Sequence, residues 1–94
     1  MWSVYILYSA SIDTYYIGQT DDIAIRFQQH KNHSGSDTFT KRAEDWKEFL
    51  QIKCTSRVQA LSIEKHIKRM KSRKYLINLL VYPEIAEKLL EKYQ

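Results

Sequence analysis

Six residues, SASIDT at positions 9–14, separate two short runs rich in aromatic and β-branched side chains, 2–8 and 15–18. Such side chains suit a pleated, half-buried surface, so both runs read as strands. A parallel crossover needs a dozen or more residues, so this connection closes an antiparallel hairpin. If Tyr8 pairs with Asp13, Tyr5 lies opposite Tyr16 and their Cβ atoms stand about 5 Å apart on one face. A slip of one residue would send the two rings to opposite faces. Gly18 falls on the face of Tyr16. It is either a plain strand end or a gap that lets a ligand or another backbone come close. Paired strand tyrosines are also ordinary packing residues, and the hairpin alone leaves both readings open.

The rest of the chain reads as helices and one more strand. Thr20 or Asp21 can cap a helix over about 22–31, with Ile23 and Phe27 as its apolar seam. The composition of NHSGSDT, 32–38, predicts the most loop-like and mobile segment. A third strand spans 46–54, where Glu48, Leu50, Ile52 and Cys54 alternate with Lys47, Phe49, Gln51 and Lys53. Thr55 or Ser56 opens a long helix to about Met70, and Gln59 completes a capping box with Ser56. Ser72 caps a helix near 73–81, and Pro83 suits the first turn of a last one over 84–93, with Ile85, Leu89 and Leu90 inward. The order ββαβααα predicts an α+β fold, a small three-stranded antiparallel sheet flanked by helices.

Ninety-four residues predict a single domain over 1–94 with one modest core. A formal net charge of +4 and a pI near 9.2 favour a polyanionic partner, nucleic acid first. Cys54 is the sole cysteine, which excludes an intrachain disulfide and a cysteine-based metal site and suits a reducing compartment. Residues 1–8, MWSVYILY, are too short for a secretory signal, and no run approaches the roughly 20 apolar residues of a membrane span. The expectation is a cytoplasmic protein with no membrane partner.

Arg26 and His30 stand at i and i+4, neighbours at the edge of the Ile23/Phe27 seam. They form either a phosphate clamp or a solvated helix flank. Glu64 is the stronger anomaly, because it shares the apolar stripe of Ala60, Ile63 and Ile67. A carboxylate there must be exposed at a rim, paired with Arg26 or a lysine, or bound to a metal. Mg²⁺ commonly takes only one or two carboxylates and completes its octahedron with water and phosphate oxygens. KHIKRMKSRK, 65–74, carries six Lys or Arg and no acid, and Lys41 and Arg42 add to the positive charge. These cations are either phosphate contacts or a solvated face.

Taken together these residues resemble the GIY-YIG nuclease superfamily, which includes the N-terminal domain of excinuclease C and many short bacterial proteins. The two signature elements read Ser3-Val4-Tyr5 and Tyr16-Ile17-Gly18, and Arg26, His30 and Glu64 follow in the family's order over residues 2 to about 80. Ser3 replaces the first-element glycine, Val4 the isoleucine, and Gln19 stands where some members have lysine. The resemblance implies Tyr5, Tyr16, Arg26 and His30 as catalytic positions and Glu64 as ligand to one Mg²⁺ or Mn²⁺. Gly18, Lys41, Arg42, Lys65, Lys68 and Arg69 are the expected nucleic-acid contacts.

The activity this implies is metal-dependent hydrolysis of a nucleic-acid phosphodiester, DNA first, leaving 5′-phosphate and 3′-hydroxyl ends, in repair or recombination. Larger members add a helper domain or protein for specificity. A phenol has an unperturbed pKa of about 10, so a tyrosine base needs cations nearby. The alternative on the same scaffold is a non-catalytic nucleic-acid-binding module.

Overall fold

A computed structural model describes residues 1–22, 24 and 25, and 42–94. Three strands, β1 (Ser3–Ser9), β2 (Thr14–Thr20) and β3 (Lys47–Lys53), form one antiparallel sheet in the order β2-β1-β3. Helices α1 (Arg57–Met70), α2 (Arg73–Val81) and α3 (Pro83–Lys92) follow. The α+β architecture expected from the element order is the one observed. The expected helix over 22–31 and the loop at 32–38 lie almost wholly outside the described residues. Its start is described: Ile25 N donates to Asp22 Oδ1 at 3.2 Å, while Asp22 N donates to Thr20 Oγ1 at 3.2 Å. The capping side chain is therefore Asp22, not Thr20 or Asp21.

β1 is the middle strand, and residues 3–7 are buried on both of its faces. Alternation sends Val4 and Ile6 one way and Tyr5 and Leu7 the other. Val4 and Ile6 join Ile52, Cys54, Ala60, Ile63, Ile67, Leu76, Leu79 and Leu89 in the main core. Tyr5 and Leu7 join Ala43 and Trp46 in a second, smaller cluster. α1 carries its stripe of Ala60, Ile63 and Ile67 onto the first face.

The hairpin register differs from the expected one. Tyr8 pairs with Tyr15, and Tyr5 pairs with Gly18 rather than Tyr16. The displacement is two residues, an even number, so Tyr5 and Tyr16 still share a face. Long-range contacts account for it. Ser9 stays in the strand because its hydroxyl donates to Asp45 Oδ1 at 2.5 Å, and the turn moves on to residues 10–13. Asp13 closes that turn with φ 47, a left-handed conformation that aspartate tolerates. Its carboxylate accepts from Tyr8 Oη at 2.6 Å and from Arg73 at 2.8 Å.

β3 begins at Lys47, and its alternation breaks at a bulge. Ile6 pairs with Leu50 and Leu7 with Glu48, which leaves Phe49 as the extra residue. Phe49 and Leu50 consequently both pack on the main core. Ser56 caps α1 by accepting from Gln59 N at 3.1 Å. The Gln59 side chain reaches one residue beyond the expected box, accepting from Thr55 N at 2.7 Å and donating to Leu90 O at 2.9 Å. Ser72 caps α2 through Tyr75 N at 3.2 Å. Among the described residues, no helix is long and apolar enough to cross a membrane.

Candidate active site

The pairing of Tyr5 with Gly18 explains the glycine. Tyr5 is 1% exposed, and its phenol lies across Gly18. A Cβ at position 18 would meet Tyr5 Oη at 2.5 Å, Tyr5 Cζ at 2.6 Å and Tyr16 Cε1 at 3.1 Å. Gly18 has no positive φ, so what position 18 requires is space rather than backbone freedom. The gap foreseen for a ligand or another backbone holds the ring of Tyr5. The Tyr5 and Tyr16 centroids are 6.1 Å apart with planes tilted by 33°. Trp46 closes the other side of Tyr16, edge-on at 6.4 Å.

Glu64 sits on α1, beside the stripe that packs onto Val4 and Ile6. Its helix thus covers the sheet face opposite the one that carries the tyrosine rings. The carboxylate is 16% exposed and accepts from Lys68 Nζ, one turn on, at 2.8 Å. Among the described residues, no three His, Cys, Asp or Glu side chains cluster as a metal cage. Glu64 is the one assigned carboxylate, the number with which a hard cation can complete its shell from water and phosphate oxygens. Gln19, on the α1-facing side of β2, has a buried Oε1 with no hydrogen-bond partner among the described residues.

Arg26, His30 and Lys41 lie outside the described residues. Arg42 is exposed, as are Lys65, Lys68 and Arg69 on α1. The described residues thus bring Tyr5, Tyr16 and Gly18 together, and they place Glu64 and the basic surface on α1, the helix that packs on the other face of the sheet and lies along edge strand β2.

A family model described as the GIY-YIG catalytic domain matches residues 1–76. The chain belongs to the GIY-YIG family. The match takes in both signature strands and Glu64, and it ends inside α2. No curated protein and no solved structure matches the chain. The GIY-YIG domain is a nuclease-type domain, so the family assignment makes nucleic acid the class of substrate. In this GIY-YIG chain Ser3 takes the first signature position, buried on the tyrosine face, where its hydroxyl accepts from Gln51 Nε2 at 3.2 Å.

Two parts of this site went unread in the sequence. Alternation puts Trp46 at a strand end, yet it stands edge-on to Tyr16; its signal is only that tryptophan is rarely left exposed. Asp45 had no signal at all. It accepts from Ser9 Oγ, from Ser11 N at 2.9 Å and from Ser11 Oγ at 2.8 Å, tying the residues before β3 to the hairpin end.

The Ser9 hydroxyl first, then the Ser11 amide and hydroxyl, lower the Asp45 carboxyl to about 2 from an ordinary 3.8. A depressed carboxyl stabilises the folded state fully above 3.8, and that contribution disappears as pH falls through about 2. Asp45→Asn should therefore melt below the wild type at neutral pH, and the gap should close between pH 4 and 2. Melting curves across that range check it; a gap independent of pH would contradict the assignment.

Proposed function

We propose that this GIY-YIG chain is a divalent-metal-dependent endonuclease that hydrolyses DNA phosphodiesters. The observation that carries the reading is the tyrosine pair: two phenol rings from adjacent strands, 6.1 Å apart, packed over a glycine that a Cβ would disrupt. The family match over residues 1–76 supports it.

In this reading Tyr5, as its phenolate, orients a water and accepts its proton as the oxygen attacks phosphorus. Tyr16 holds the Tyr5 ring in place, Arg26 neutralises charge on the pentacoordinate phosphate, and His30 donates to phosphate or orients a tyrosine. The bond to the 3′-oxygen breaks and that oxygen takes a proton from solvent, leaving 5′-phosphate and 3′-hydroxyl ends. Glu64, on the helix beside the β2 edge, would hold one Mg²⁺ or Mn²⁺, which would supply charge stabilisation to the phosphate and the leaving oxygen. Exposed basic residues, Arg42, Lys65, Lys68 and Arg69 with Lys41, bind the backbone, and a helper protein or domain supplies specificity. The chain as a whole acts as one domain in the cytoplasm.

A cleavage assay on linear, branched and flapped DNAs tests this, with Mg²⁺ or Mn²⁺ and with chelator. Nicking that chelator abolishes is the expected result. Gel shifts with no turnover on any substrate would instead assign the chain as a nucleic-acid-binding module.

A further inference from the structure

A second basic site lies on the sheet face away from the tyrosine rings. A cavity of about 280 Å³ opens between β2 and the junction of α1 with α2, its lining including Tyr15, Lys68, Lys71, Ser72, Arg73 and Leu76. Three cations line it and no carboxylate does. Lys68 and Arg73 are each paired, to Glu64 and Asp13. Lys71 has no such partner among the described residues.

Lys71 is also an outlier of conformation. It ends α1 with φ 47 and ψ 42, the left-handed position that glycine or asparagine normally takes. A lysine held there keeps a cation at the cavity rim against local backbone preference. Such an outlier points toward a functional constraint. The guanidinium of Arg73 lies over the Tyr15 ring, 5.9 Å from its centroid, which holds that second cation beside the same opening.

We propose that this cavity binds a backbone phosphate of the nucleic acid, a contact separate from the tyrosine pair and on the other side of strand β2. β2 is an edge strand in the order β2-β1-β3. Tyr16 and Gly18 face one side of it, Tyr15 and Ile17 the other. A strand of nucleic acid draped over that edge meets the tyrosine face and the Lys71 cavity at once. The proposal rests on the nuclease reading for its choice of ligand, since a phosphodiester is the polyanion this family handles.

Fluorescence anisotropy of a labelled DNA duplex, without divalent metal and over a salt series, tests it on the full chain. Lys71→Asn is the variant of choice, because asparagine accepts the left-handed backbone and the fold is not put at risk. It should bind about 3- to 10-fold more weakly at 0.1 M salt, and the slope of log affinity against log salt should shrink by about 0.9. Lys71→Arg should retain the slope, and Lys88→Asn, on the exposed side of α3, should leave it unchanged.

Equal slopes for Lys71→Asn and the wild type overturn the proposal, even if the wild type cleaves DNA and the nuclease reading stands. Binding without any cleavage, weakened by Lys71→Asn, supports the cavity contact while the nuclease reading fails. Absence of binding overturns both. An equal loss of binding to polyglutamate would assign the cavity to acidic partners in general and overturn the choice of phosphate.

Discussion

Gly18→Ala is expected to destabilise the fold by about 1–3 kcal/mol, the usual effect of forcing a methyl into a packed site. For a domain of this size that is roughly 5–20 °C in the melting midpoint. The added carbon would sit 2.5 Å from Tyr5 Oη and 2.6 Å from Cζ, and Tyr5 is a buried ring packed beside Tyr16. Relief requires the ring to leave the sheet face or the two strands to part. Cleavage should fall with it, because the phenol assigned as base is displaced. A double-mutant cycle with Tyr5→Ala locates the cause: once the ring is gone, Gly18→Ala should cost little. An alanine variant that melts with the wild type would mean that Tyr5 does not occupy the space over residue 18.

Glu64→Gln should act on rate with little effect on stability. The pair it breaks is an i, i+4 contact with Lys68, whose side chain is 53% exposed, and such pairs contribute only about 0.3–0.5 kcal/mol. Losing the sole carboxylate assigned to the metal should remove several kcal/mol of transition-state stabilisation. At 1.36 kcal/mol per tenfold, the rate should fall by about 10²- to 10³-fold. Plasmid nicking by folded variant and wild type at matched Mn²⁺ measures it. Equal rates would reduce Glu64 to half of an ion pair and remove the metal assignment.

The secondary structure was legible because each signal was local. Six residues cannot carry a crossover, Ser56 and Ser72 cap the helices they precede, and Pro83 opens the last one. The register was not legible, because Ser9 is held by Asp45 from 36 residues away and Asp13 by Arg73 from 60. The bulge at Phe49 was equally hidden, since a sequence that alternates carries no mark of where one residue is skipped.

What the sequence determined alone was parity and order: tyrosines at positions 5 and 16 share a face under either register, and a carboxylate sits in the apolar stripe of α1. Both follow from fixed backbone periods of two and 3.6 residues. Tertiary structure decided that Gly18 lies beneath Tyr5, that Trp46 closes the tyrosine wall, and that Glu64 rides on a helix covering the other face of the sheet. Those are statements about which surfaces meet, and that depends on packing among segments far apart in the chain.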